Sequence, residues 1–200
     1  GQTVTDKDFR GAYMLIYFGY TSCPDVCPLD LRFMTGARDE LGDDGDRVQP
    51  ILITVDPLRD TPAVLAGYVA AYHPRLIGLT GTVEQITAVA KSYAIFHEQE
   101  EVVAELATAY LVAHTTATIL MGPDGKFLKV RRWSNAGDLR AELEELVGKV
   151  KNPTSIADIG MKRVEPAKTA AKGIVPRLQL PGRMTSIKVQ PPKEAIRPLR

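Results

Sequence analysis

The 200-residue sequence predicts an α/β fold whose central mixed sheet is covered by helices on both faces. Short apolar runs of strand length alternate with segments whose apolar residues recur at helical spacing. The last two strands are separated by a Gly-Pro-Asp-Gly turn, which indicates an antiparallel hairpin. Hydrophobic residues make up 44% of the chain, enough for one globular domain with a substantial core.

The first half of the chain is expected to fold as strand, helix, strand, helix. These elements are a strand at Tyr13–Phe18, a helix at Leu29–Leu41, a strand at Gln49–Val55 and a helix from Pro62 to about Tyr72. Both strands are unbroken apolar runs, as in buried strands. The second helix has Pro62 in its first turn, after Asp60 or Thr61 as the cap.

The second half continues the alternation and ends in a hairpin and a helix. We expect a strand at Leu76–Leu79, a helix from Val83 to about Tyr93, strands at Thr115–Met121 and Lys126–Arg132, and a helix from Asp138 to about Lys149. Thr82 and Gln85 form a capping box before the third helix, and no element is predicted in the acidic stretch from His97. The order β-α-β-α-β-α-β-β-α is that of a thioredoxin-like fold with insertions.

Charge divides the chain into two parts. The formal net charge is +1, so composition gives no reason to expect a nucleic acid partner. Residues 151–200 are basic and proline-rich without sustained periodicity, whereas residues 1–150 are acidic. We therefore predict a domain over 1–150 and an extended or disordered extension over 151–200. The sequence begins as if inside a domain, so a targeting or anchoring segment is expected upstream.

Both cysteines, Cys23 and Cys27, lie in the stretch YFGYTSCPDVCP between the first strand and the first helix. A helix N-terminus favours thiolates, and on a first helical turn two sulfurs four residues apart would project to one face. The pair fits a soft-metal site, a redox pair or a small disulfide. Three intervening residues differ from the C-x-x-C spacing of thioredoxin-type oxidoreductases, and a metal would need a third ligand.

Three histidines could supply that ligand. His73 follows a helix and His97 begins the acidic stretch, so surface positions are expected for both. His114 directly precedes the strand predicted at Thr115, and in a thioredoxin-like sheet that position lies beside the cysteine loop. On position alone, His114 is as consistent with an exposed or satisfied histidine as with a ligand.

Several acidic residues have simpler interpretations than catalysis or metal binding. Asp25 is expected to initiate the first helix rather than act as an outer-sphere ligand. Asp56 and Asp60 stand around prolines, where turn and cap roles are expected. A calcium site is only weakly indicated by an incomplete group in a glycine-containing loop, consisting of Asp43, Asp44 and Asp46.

Four stretches in order resemble the Sco/SenC family of copper chaperones: YFGYTSCPDVCP, VDPLRDTP, LIGLTGT and AHTTATILMGPDGKF. The resemblance runs from about Val4 to Val147. It implies a thioredoxin-like domain that binds one copper ion, Cu(I) or Cu(II), through Cys23, Cys27 and His114. One departure is Ala113, where many relatives carry an aspartate.

The resemblance also implies a role in assembling the dinuclear copper centre of cytochrome c oxidase. The expected partners are the copper-binding subunit of that oxidase and other copper chaperones. The expected location is the periplasmic side of the inner membrane, or the mitochondrial intermembrane space, on an N-terminal membrane anchor. The alternative is a thiol–disulfide oxidoreductase that reduces cysteines of the same target through Cys23 and Cys27. A peroxidase is a weaker third class.

Overall fold

The structure is a computed structural model that describes residues 3–101 and 110–148. The strands are β1 (Tyr13–Gly19), β2 (Val48–Thr54), β3 (Ile77–Leu79), β4 (His97–Glu101), β5 (Tyr110–His114), β6 (Thr118–Met121) and β7 (Phe127–Arg131). The α-helices are α1 (Val26–Glu40), α2 (Pro62–Ala70), α3 (Val83–Ser92) and α4 (Ala136–Gly148). Short 3-10 helices at Asp6–Phe9 and Gly42–Arg47 complete the regular structure of these ranges.

A five-stranded mixed sheet forms the centre of the domain, in the order β3-β2-β1-β6-β7. β1 runs parallel to β2, and β2 parallel to β3, as helical crossovers require. β6 pairs antiparallel with both β1 and β7. Every residue of β1 and β2 is buried, because each strand has neighbours on both sides and helices cover both faces.

Side chains of β1 alternate between two helical layers, as the pleat of a strand dictates. The Tyr13 hydroxyl donates a hydrogen bond to the carbonyl of Leu146 in α4. Helices α1 and α4 contact each other and cover this face of the sheet. The Phe18 ring lies 5.6 Å from the ring of Tyr93, which follows α3 on the opposite face. These contacts confirm the predicted α/β class with a mixed sheet and helices on both faces.

Three features differ most from the sequence-based expectation. Helix α1 begins at Val26, three residues earlier than expected, and β6 begins at Thr118 rather than at Thr115. The third difference is a separate two-stranded antiparallel sheet formed by β4 and β5. The acidic sequence of β4 has no apolar alternation, so its strand conformation comes from pairing with β5 rather than from its own pattern.

The predicted extension over 151–200 lies outside the described residues, so the boundary near residue 150 stays a prediction. In the ranges that the structure describes, no helix is both long and apolar enough to cross a membrane.

Candidate metal centre

Cys23, Cys27 and His114 meet at the end of the sheet where β1 leads into α1. Their potential ligand atoms all lie within 4.8 Å of one another. Cys27 Sγ is 3.4 Å from His114 Nε2, and both cysteines are buried free thiols. Among the described residues, this is the one group of three or more Cys, His, Asp or Glu side chains close enough to hold a metal ion. The structure thus brings together the three residues singled out from the sequence.

The cysteines reach this position from two different local structures. Asp25 occupies the N-cap of α1, so Cys27 lies in the first helical turn while Cys23 remains in the preceding loop. The expectation that a first helical turn holds both cysteines is therefore wrong for Cys23. Gly19 at the end of β1 makes room for Cys27, because a Cβ at position 19 would lie 3.0 Å from Cys27 Sγ.

The imidazole of His114 is held with Nε2 facing the sulfur of Cys27. Nδ1 lies 3.2 Å from the carbonyl oxygen of Thr115, which can only accept a hydrogen bond, so the proton resides on Nδ1 and the Nε2 lone pair is free. Tyr17 and Tyr20 contact the ring edge-to-face, with centroids 6.1 and 5.8 Å away. Because a backbone carbonyl orients Nδ1, this orientation does not depend on a carboxylate at position 113.

Burial favours the neutral forms of two potential ligands, Cys27 and His114. Desolvation is the main cause that raises the pKa of Cys27, followed by a hydrogen bond with Cys23 that favours the protonated Cys27 thiol. Desolvation likewise lowers the pKa of His114. Reactive cysteines have lowered pKa values and solvent access, whereas Cys27 is fully buried and shifted in the opposite direction. This environment suits a thiol that releases its proton only when a metal ion binds, rather than a thiolate that is already free to act as a nucleophile.

Two further residues beside the site, Tyr17 and Asp30, were not predicted to have a functional role. The hydroxyl of Tyr17 donates to Cys27 Sγ at 3.8 Å. Asp30 is buried on α1 and has one carboxylate oxygen without a hydrogen-bond partner; desolvation raises its pKa, while Tyr17 acts in the opposite direction. The available signal was an acidic residue three positions after Cys27, within the apolar stripe that continues through Leu31 and Met34.

Asp60 anchors the cysteine loop instead of capping a helix. The carboxylate is fully buried and accepts hydrogen bonds from the backbone N–H of Thr21 (3.0 Å) and from the hydroxyls of Thr21 (2.5 Å) and Thr54 (2.6 Å). The cap of α2 is Thr61, whose side chain accepts from the N–H of Val64. The cap role of Asp60 is therefore wrong, because three donors surround its carboxylate, whereas its turn role is confirmed by the hydrogen bond from its backbone N–H to the carbonyl of Asp56 at 2.9 Å.

Asp56 links the loop after β2 to the strand that carries His114. Its carboxylate accepts a hydrogen bond from the Tyr110 hydroxyl (2.7 Å) and pairs with Arg59. The Arg59 guanidinium in turn donates to the carbonyl of Tyr110 and stacks on the Tyr110 ring, 3.7 Å from its centroid. These contacts fix the start of β5 and, through it, the position of His114.

The remaining candidates lie outside the cluster. His73 is half-buried rather than exposed, and its Nε2 pairs with Asp39 at 3.0 Å. His97 is also half-buried and is the cross-strand partner of His114. In the 3-10 helix after α1, Asp44 pairs with Arg47 and Asp46 pairs with Arg38. Asp43, Asp44 and Asp46 do not form a group that could hold a metal ion.

Two cysteines and a histidine clustered at one end of the central sheet are typical of a thioredoxin-like protein that binds a metal ion. A sequence model described as SCO1/SenC matches residues 1–148, and the chain belongs to this family. It is 45% identical over 128 residues to the protein SenC of Rhodobacter capsulatus, covering 64% of this chain and 57% of that protein. It is 41% identical over 136 residues to the human mitochondrial SCO1 homologue, covering 64% of this chain and 42% of that protein.

Solved structures agree with this assignment. The copper-bound ScoI of Arabidopsis thaliana superposes with a TM-score of 0.68 at 36% identity, over 73% of this chain and 90% of that one. BsSco, described as a Sco-family cytochrome c oxidase assembly protein with a disulfide switch, gives a TM-score of 0.53 at 26% identity, over 70% of this chain and 83% of that one. The chain spans about half the length of the curated relatives that it matches.

Proposed function

We propose that this domain is a copper metallochaperone that binds one copper ion through Cys23 Sγ, Cys27 Sγ and His114 Nε2. The observation that carries the proposal is the convergence of these three atoms within 4.8 Å, with Nε2 free to coordinate. Two thiolates select soft ions such as Cu(I), and an imidazole extends the range to Cu(II). Copper is the cargo of the protein, so the site has to release the ion as well as bind it.

Binding exchanges protons for copper. The buried thiols of Cys23 and Cys27 lose their protons as copper–sulfur bonds form. His114 contributes its lone pair without losing a proton, because its Nδ1 proton points to the Thr115 carbonyl. The surrounding rings of Tyr17 and Tyr20 limit water access to the bound ion.

We further propose that the recipient is the copper-binding subunit of cytochrome c oxidase, with other copper chaperones as additional partners. Support comes from BsSco, which is described as a cytochrome c oxidase assembly protein. The proposed location is the periplasmic face of the inner membrane or the mitochondrial intermembrane space, on an N-terminal anchor. The relatives include both a bacterial SenC and a mitochondrial homologue.

A thiol–disulfide oxidoreductase is the less favoured function. It requires an accessible, activated thiolate, whereas Cys27 is fully buried and its pKa is raised. It also gives no role to His114, whose Nε2 faces the sulfur of Cys27.

Copper titration of the reduced protein tests the proposal. Wild type should bind one Cu(I), and Cys23→Ser or Cys27→Ser should abolish tight binding, because two-coordinate sites with mixed ligands are weaker for this soft ion. His114→Ala should weaken binding by at least about 10-fold to 100-fold, because loss of a residue that merely orients a metal ligand already costs that much. His73→Gln removes an imidazole outside the cluster and is the control that should bind like wild type. Unchanged binding in His114→Ala would mean that the ligand set is wrong.

A further inference from the structure

His97 stands directly opposite His114 in the hairpin formed by β4 and β5. Opposed residues of an antiparallel pair project to the same face, with Cβ atoms about 4.5–5.5 Å apart. That face is the one directed toward the domain, since Val112, two residues before His114, is buried there.

His97 also lines a cleft of about 220 Å³ between the hairpin, the loop after β2 and the start of α3. The acidic residues Asp56 and Glu98 contribute to the walls of the same cleft. Because Arg59 compensates the charge of Asp56, the exposed Glu98 supplies the negative charge by which this cleft attracts a cation. His97 therefore has one side toward a copper ligand and another toward a polar cleft that suits a cation.

The metal centre itself is recessed. Cys27 is fully buried and Cys23 is 8% exposed, whereas His114 and His97 are half-buried. The imidazole side is therefore the more exposed side of the site, and an ion that leaves the two sulfurs by that side passes His114 and His97. A further ligand on the imidazole side lowers the activation barrier to copper release, because the ion then gains one ligand as it loses another.

We propose that His97 is a transient copper ligand, paired with His114, on the path by which Cu(I) enters and leaves the site. This inference rests on the proposed copper-binding function and adds a residue to it. During release, a copper–nitrogen bond to His97 forms as one copper–sulfur bond breaks. The freed thiolate takes a proton from solvent, and copper remains Cu(I), so no electron is transferred. Ligands from the acceptor then displace the second thiolate, which also takes a proton from solvent, and the two imidazoles, so that both copper–sulfur bonds are broken.

The test is the rate at which the full chain, loaded with one Cu(I), transfers it to the chelator bathocuproine disulfonate in stopped flow. His97→Ala should slow transfer by about tenfold, the factor expected when a barrier rises by the strength of one weak ligand contact. Its equilibrium affinity for Cu(I) should stay within about threefold of wild type. His97→Met, which offers a soft thioether, should restore most of the rate.

Gln99→Ala is the matched control, because Gln99 is the next residue on the same face of β4 and lines the same cleft. It should transfer copper at the wild-type rate. Equal rates in wild type and His97→Ala would overturn the inference while leaving the copper-binding function intact. An affinity loss in His97→Ala as large as that of His114→Ala would also overturn it, since His97 would then be a permanent ligand. A wild-type protein that binds no Cu(I) would instead refute the proposed function.

Discussion

The hydroxyl of Tyr17 lies 3.8 Å from Cys27 Sγ inside the core and donates to it. A donor stabilises the thiolate that copper requires. Tyr17→Phe removes this donor but keeps the ring that contacts His114. Because a hydrogen bond contributes about 1 kcal/mol, the Kd for Cu(I) should rise by about fivefold or less. Competition with a Cu(I) chelator measures the change.

Tyr13→Phe is the control for this substitution. Tyr13 lies on the same strand and donates to the carbonyl of Leu146, far from the sulfurs. Its loss should lower the free energy of unfolding by about 1 kcal/mol and leave copper affinity unchanged. If the two variants bind copper equally well, the Tyr17 hydroxyl does not act on the sulfur.

Some residues of the candidate metal centre could be predicted from the sequence, and others could not. Cys23 and Cys27 are conspicuous as the two cysteines of the chain, and the family resemblance added His114. Tyr17 and Asp30 are ordinary residues of a strand and a helix in the sequence. Their roles arise only when one face of β1 packs against α1, and no local pattern records which side chains meet there.

At the scale of secondary-structure elements, Asp60 joins the loop after β2 to the cysteine loop. Asp60→Ala leaves three donors, from Thr21 and Thr54, without their acceptor in a buried site. We expect the free energy of unfolding to fall by about 3 kcal/mol, since each unsatisfied buried group costs about 1 kcal/mol or more. Copper affinity should fall too, because Thr21 is two residues from Cys23. Chemical denaturation and copper competition measure the two effects.

Thr61→Ala is the matched control, because it removes the neighbouring helix cap without touching the cysteine loop. It should cost about 1 kcal/mol of stability and leave copper affinity unchanged. A destabilised Asp60→Ala protein with wild-type copper affinity would show that the loop keeps its shape without this anchor.

Elements with a strong apolar pattern were predictable, and β4 was not. β1 and β2 are unbroken apolar runs, and the capping box of α3 is formed as the sequence predicted. β4 has the sequence His-Glu-Gln-Glu-Glu and gains its conformation only from hydrogen bonds to β5. The pairing also decides that His97 faces His114, a register that strand composition alone does not specify.

At the scale of the whole molecule, the overall order of strands and helices was enough to predict the thioredoxin-like fold. The crossover rules leave few ways to arrange three parallel strands joined by helices. What the order could not supply is the set of contacts between segments distant in sequence, such as those of His73. This residue follows α2, yet its imidazole Nε2 pairs with Asp39 of α1 at 3.0 Å.

The same residue makes global stability depend on pH. His73 Nδ1 accepts the backbone N–H of Arg75 at 2.9 Å, so the neutral imidazole satisfies both ring nitrogens. Burial is the main cause that lowers the pKa of His73 below its ordinary 6.5; Asp39 opposes the shift, and Arg38 and Arg75 add to it. Burial lowers the pKa of His114 as well.

A lowered histidine pKa means that the folded state binds fewer protons than the unfolded chain. The contribution of these neutral histidines to the free energy of unfolding is fully present above pH 6.5 and is lost as pH falls below that value. Urea unfolding of the copper-free protein should therefore give a smaller free energy at about pH 5.5 than at about pH 7.5, a window that lies around the histidine pKa. His73→Gln and His114→Gln should each flatten the dependence, and the double variant should flatten it further. A wild-type free energy that stays constant across the window would contradict the argument.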